Sequence, residues 1–176
     1  MRGILAGHRH QLQGRFHLII PLMQNLLRCL FLPNRATGSK AETPSRIPPW
    51  LSADVAAAPY ATAYTRLLCM LCDPTASSAA APRSRRIQEL TPATTKARRI
   101  AGQHLPYLLE EYIRCQLEHQ LPPDVKSALT PGLYALLSVS SPKTLHMINA
   151  SMDASGRALF KVLYSDYGRF GRWDEH

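Results

Sequence analysis

The sequence predicts an all-α protein: an irregular helical bundle of about six or seven helices, arranged like the end of a helical-repeat solenoid. Three observations carry this expectation. Apolar residues recur at three- and four-residue spacing in most segments, while no period-two alternation outlasts a few residues, as a half-buried strand would require. A helix-start signal, hydroxyl then proline, recurs at Thr91-Pro92, Thr130-Pro131 and Ser141-Pro142. In each, the hydroxyl can cap an open backbone N–H and proline sits where no N–H is needed. Finally, 45% of the 176 residues are hydrophobic, enough for a packed core, so residues 1–176 are expected to form a single helical domain.

The elements follow in order. Phe16, Ile19, Ile20, Met23, Leu26, Leu27, Leu30 and Phe31 make a wide apolar stripe, which suits a helix covered by neighbours. Pro21 lies inside it, and an internal proline costs about 3 kcal/mol, so a kink or a late helix start is expected there. Residues 33–49 read as a flexible loop, punctuated by Pro33, Gly38, Pro44, Pro48 and Pro49. Trp50 opens the next segment, in which Ser52 can cap a short turn and Pro59 suits the first turn of a helix. That helix has the stripe Tyr60, Tyr64, Leu67, Leu68 and Leu71, and Asp73-Pro74 stops it.

Residues 74–90 are low in complexity and read as a second flexible loop, ending in Arg83, Ser84, Arg85 and Arg86. A long helix is expected from Thr91-Pro92 to about Gln120, bent or broken at Pro106 and ended by Pro122-Pro123. Its face is Leu105, Leu108, Leu109, Tyr112, Ile113 and Leu117. Two short helices, roughly 131–139 and 142–151, come next. Asp153 caps a last helix whose stripe, Phe160, Leu163, Tyr164, Tyr167, Phe170 and Trp173, is rich in rings and is expected to be mostly core.

Charge divides the chain. Residues 1–100 hold 14 of the 21 Lys and Arg but only 4 of the 12 Asp and Glu, so the excess of +9 belongs to the first part. An anionic partner there is one reading and a solvated basic surface the other. Arg83, Arg85 and Arg86 are the candidate contacts to RNA phosphates, with an inert linker as the alternative. Residues 1–41 carry no acidic side chain but hold Arg2, Arg9, Arg15, Arg28, Arg35 and Lys40. This is the charge pattern of a mitochondrial presequence, an alternative in which residues 1–15 are imported and removed. No apolar stretch reaches about 18 residues without interruption, so no membrane span is expected.

The chemistry-bearing patterns are sparse. Cys69-Met-Leu-Cys72 has redox or zinc-pair spacing. It lacks two further ligands or a preceding strand, and apolar helical neighbours favour thiols packed as small hydrophobes. Cys29 and Cys115 lie in apolar stripes too. His8, His10 and His17 have no acidic or Cys partner nearby, and His104, His119 and His146 are isolated. Glu110 and Glu111 are adjacent on a helix, point apart and suit a solvated face. Gly156 fits a close helix approach better than a phosphate loop. No nucleophile elbow, phosphate loop or carboxylate pair is present, so no catalytic residue, metal or cofactor is expected.

One signature rises above this background: Leu129-Thr-Pro-Gly-Leu-Tyr-Ala-Leu-Leu137, then the run from Leu145 to Tyr164, then Asp166-Tyr-Gly-Arg-Phe-Gly-Arg-Trp173. It resembles the C-terminal domain of the nucleolar pre-ribosomal-associated, or unhealthy-ribosome-biogenesis, family (Urb/Npa type, second member). Gly14-Arg-Phe-His17, Leu26-Leu-Arg-Cys-Leu-Phe31 and the stretch from Ala97 to Leu109 are similar to it as well. The resemblance implies a large helical scaffold of which this chain matches the final domain. It implies a non-catalytic role in 60S subunit assembly and large-subunit pre-rRNA processing, located in the nucleus and nucleolus. It further implies early pre-60S assembly factors as partners, among them a companion helical-repeat protein and a DEAD-box RNA helicase. Physically, a terminal repeat must cover the last core face and show a different outer one. The interaction candidates are therefore Arg157, Lys161, Tyr167, Arg169, Phe170, Arg172 and Trp173. The cations are expected to meet RNA or an acidic partner, or else to pair internally with Asp153 and Asp166.

Overall fold

The computed structural model describes residues 15–31, 57–73 and 92–171. Within them the chain forms seven α-helices and a closing π-helical turn, with no strand among the described residues. The helices are α1 (Phe16–Leu30), α2 (Ala57–Cys72), α3 (Pro92–His104), α4 (Tyr107–Glu118), α5 (Pro123–Val139), α6 (Pro142–Ser151) and α7 (Ala154–Asp166), and the π-helical turn spans Tyr167–Gly171. The all-α expectation is met. The loops expected at 33–49 and 74–90, the segment opening at Trp50, the Ser52 cap, His8 and His10 lie outside the described residues, as do residues 1–14 of the presequence reading.

One apolar cluster joins every helix except α6, whose Leu145 packs against it. α1 is integral to this core: Met23 and Leu27 are fully buried, and Phe16, Ile19 and Leu30 nearly so. Its ends are pinned by rings, Phe31 edge-on to Tyr112 at 5.9 Å and Phe16 stacked on His104 at 5.8 Å. The most extensive pairing joins α2 to α5. There the Thr65 hydroxyl donates to the Ala128 carbonyl at 2.7 Å, and Gly132 lets the helices close. A Cβ on Gly132 would lie 3.0 Å from Leu68 Cδ1 and 3.2 Å from Thr65 Cα. α3 comes closer still to the end of α5, because a Cβ at Gly102 would meet the Val139 carbonyl oxygen at 2.0 Å.

Packing overrides several local signals. α1 begins at Phe16 and continues through Pro21, so the helix start is not delayed. Pro21 is exposed and forfeits a single backbone bond. Burying five side chains at about 1.5–3 kcal/mol each outweighs the roughly 3 kcal/mol of an internal proline. The break expected at Pro106 does occur, and the segment from Pro92 forms two helices separated at Leu105-Pro106. Pro122-Pro123 does not only end α4: Pro123 is the first residue of α5, the longest described helix at 17 residues. Pro131 therefore lies inside α5 instead of starting a helix. Thr130, expected to cap, turns its hydroxyl back to the Lys126 carbonyl at 2.9 Å. Val125, Leu129, Leu133 and Leu136, a continuous stripe across that proline, are each 2% exposed or less. Tyr60 and Leu117, expected to be core, are 44% and 48% exposed.

Candidate interaction surface

The C-terminal end is built by two true caps. The Ser141 hydroxyl accepts from Thr144 N at 3.1 Å and starts α6. The Asp153 carboxylate accepts from Gly156 N at 2.7 Å and starts α7. Gly156 is required by this cap and not by an approaching helix. A Cβ there would lie 2.9 Å from Asp153 Oδ1 and 3.2 Å from Met152 Cβ, both within its own capping turn.

α7 then sorts its rings. Phe160 is buried, and Tyr167 is half-buried against Tyr134 of α5, with ring centroids 5.6 Å apart. Burial, with the Asp166 carboxylate behind it, pushes the Tyr134 hydroxyl above its ordinary pKa. Tyr164 and Phe170 point outward, 49% and 65% exposed, and Val162, on another face of α7, is 58% exposed. The expectation that this stripe is mostly core is therefore corrected. A helix this short against one neighbouring surface has a single inward face, and Phe160, Leu163 and Tyr167 fill it. Tyr164 stays linked to both neighbours, its ring centroid 6.4 Å from Phe160 and 6.4 Å from Tyr167.

The cations lie around these rings. Arg157, Lys161 and Arg169 are exposed. Arg157 donates from Nη1 to the Met152 carbonyl at 2.8 Å, so it is anchored by backbone and not by Asp153, whose carboxylate serves the cap. Between α6 and α7 a groove of about 400 Å³ is lined by Asn149, Arg157, Ala158, Phe160, Lys161 and Tyr164. The structure thus brings Arg157 and Lys161 to one groove and leaves Phe170 on the turn beyond it. Arg172 and Trp173, like Arg83, Arg85 and Arg86, fall outside the described residues.

Glu111 is the polar residue that the sequence reading misplaced. It is 6% exposed, not solvated, and Arg28 of α1 donates to it through Nε. Arg114 Nη2 reaches both of its oxygens at 2.7 Å, and the Cys115 thiol lies 3.7 Å from Oε1. Burial alone would raise its pKa, but the hydrogen bonds from Arg28 and Arg114 outweigh that and hold the carboxyl below its ordinary value. Glu111 falls on the buried stripe with Leu108, Tyr112 and Cys115, at helical spacing, and that periodicity was the available signal. Its neighbour Glu110 accepts from the Ser151 hydroxyl at 3.3 Å and ties α4 to α6.

The cysteines are buried or half-buried. No disulfide joins the four cysteines. Burial, then the Glu111 charge, pushes the Cys115 thiol up to about 11, and burial likewise raises Cys69. Such thiols remain protonated at neutral pH. His104, His119 and His146 are exposed, and among the described residues no group of three His, Cys, Asp or Glu side chains is placed to hold a metal. No helix among the described residues is long and apolar enough to cross a membrane.

Comparison with known proteins points one way. The model of the Urb2/Npa2 family matches residues 1–176. Among curated proteins, the chain is similar to the "Probable nucleolar pre-ribosomal-associated protein 2" of Schizosaccharomyces pombe (strain 972 / ATCC 24843), at 22% identity over 183 residues. The alignment covers 99% of this chain and 13% of that relative, so the chain spans a small fraction of its length. No solved structure matches.

Proposed function

Since the chain belongs to the Urb2/Npa2 family, we propose that it is a non-catalytic docking module in nucleolar assembly of the large ribosomal subunit, supporting pre-rRNA processing. The observation that carries this reading is the outward turn of Tyr164 and Phe170 at the C-terminal end, Tyr164 in one groove with Arg157 and Lys161. Large rings left in water beside cations are the composition of contact surfaces. The rest of the end is rigid: capped helices, a filled inner face and Tyr167 wedged on Tyr134. A rigid support lets an exposed ring bind without first being ordered. Two buried polar side chains have structural work, Glu111 holding α1 to α4 and Thr65 holding α2 to α5. The partners proposed are early assembly factors of the pre-60S particle, including a companion helical-repeat protein and a DEAD-box helicase, with pre-rRNA within reach of the basic residues.

Gradient sedimentation of the tagged chain from cells tests this. The wild type is expected to travel with large-subunit precursors and to stain the nucleolus. The double variant Tyr164→Ala/Phe170→Ala, altered only at exposed rings, is expected to remain at the top of the gradient. Wild-type protein that stays at the top, or a double variant that sediments unchanged, would refute the docking role.

A further inference from the structure

We propose that the groove between α6 and α7 is a stacking site for single-stranded RNA, holding one or two nucleotides. The inference rests on the reading of this end as the contact surface and names what one part of it binds.

Arg157, Lys161 and Tyr164 stand at i, i+4 and i+7 of α7, so the two cations and the ring share one flank of the helix. The cations are about 5–6 Å apart at Cβ, as neighbours on a helix surface are, a spacing commensurate with successive phosphates along a strand. Tyr164 leaves half of its surface in water, and the buried Phe160 and the exposed Ala158 also line the groove. Asn149 enters from α6 with an amide, which offers both a donor and acceptors. Aromatic face, side-chain amide and paired cations are the groups with which proteins hold unstacked bases and their phosphates.

Charge and the chemistry of the lining select this occupant. Two cations and no carboxylate line the groove. Asp153, nearest in sequence, spends its carboxylate on the Gly156 N–H. Arg157 is held by one bond to the Met152 carbonyl, which fixes its position and leaves other guanidinium donors for a phosphate. The rival anionic occupant is an acidic amphipathic helix. It would meet Arg157 and Lys161 with carboxylates, but it brings no planar group to cover the half-exposed Tyr164 ring or to pair with the Asn149 amide, and an unstacked base does both.

The test is fluorescence anisotropy of the purified full chain with short labelled single-stranded RNA across a salt series, combined with photocrosslinking. Wild type is expected to bind with salt-dependent affinity and to crosslink within the peptide carrying Tyr164. Tyr164→Ala is expected to lose about tenfold or more, the loss of one base stack, while Tyr164→Trp keeps binding. Arg157→Glu with Lys161→Glu is expected to flatten the salt slope by at least one unit, since each phosphate contact adds about 0.7. Circular dichroism should be unchanged, because all three residues are exposed. Affinity unmoved by Tyr164→Ala, or crosslinks confined to residues 83–86, overturns the proposal. So does binding of a synthetic acidic amphipathic helix that the charge reversal abolishes while RNA affinity stays intact. If Tyr164→Ala detaches the chain from precursors without touching RNA affinity, the docking role stands and the RNA site falls. RNA binding as described, with no chain on precursors, has the opposite meaning.

Discussion

Replacing Glu111 by Gln removes a charge and little volume from the junction of α1 and α4. The carboxylate is 6% exposed and takes hydrogen bonds from Arg28 and from Arg114, the latter through both oxygens. Bonds to charged groups contribute about 1.5–3 kcal/mol each. Both guanidiniums are half-exposed, at 48% and 56%, and so return to water when the carboxylate is gone, which discounts that figure strongly. Glutamine keeps one acceptor but turns an NH2 toward the arginine donors. The net cost is expected to be about 1–2 kcal/mol at pH 7, or a fall in Tm of about 2–8 °C for a chain of this size. The sign with pH follows from the carboxyl's lowered pKa in the fold. The wild-type advantage is complete above the ordinary glutamate value of about 4.3 and is lost as pH falls through the lower folded value. Urea unfolding of both proteins at pH 7 and through a series below pH 5 measures it. A variant as stable as wild type at pH 7, or a gap that does not narrow on acidification, would refute the reasoning. Glu111→Leu separates charge from shape: it removes one partner and not the whole pair, but the half-exposed Arg28 and Arg114 can return to water and are not left as buried charges.

Two further changes probe the helix contacts. Gly102→Ala places a methyl 2.0 Å from the Val139 carbonyl oxygen, so the urea midpoint should drop by the equivalent of about 1–3 kcal/mol despite alanine's better helix propensity. An unchanged midpoint would mean that α3 does not approach α5 this closely. Pro131→Ala, at an exposed position inside α5, restores an N–H and is expected to stabilise by about 1–2 kcal/mol after the entropy returned to the unfolded chain. Destabilisation in the same melts would show that the proline is required where it stands.

The helical class, the stripes of α1, α2 and α4, the break at Pro106 and the caps at Ser141 and Asp153 are legible in the amino-acid order. These depend on periodicity and on groups a few residues apart, which a chain carries wherever it folds. It also held the family signature and the cation positions on α7. Tertiary structure alone decided that α5 runs through Pro131, because the gain of burying Leu129 and Leu133 against α2 comes from residues some sixty positions earlier. It decided that Glu111 is buried, since Arg28, its partner, lies 83 residues away. It decided as well that Tyr164 and Phe170 face water while Phe160 and Tyr167 do not. An aromatic stripe marks where apolar surface is; only the area of the neighbouring helices fixes how much of it is covered, and what remains uncovered is the surface left for a partner.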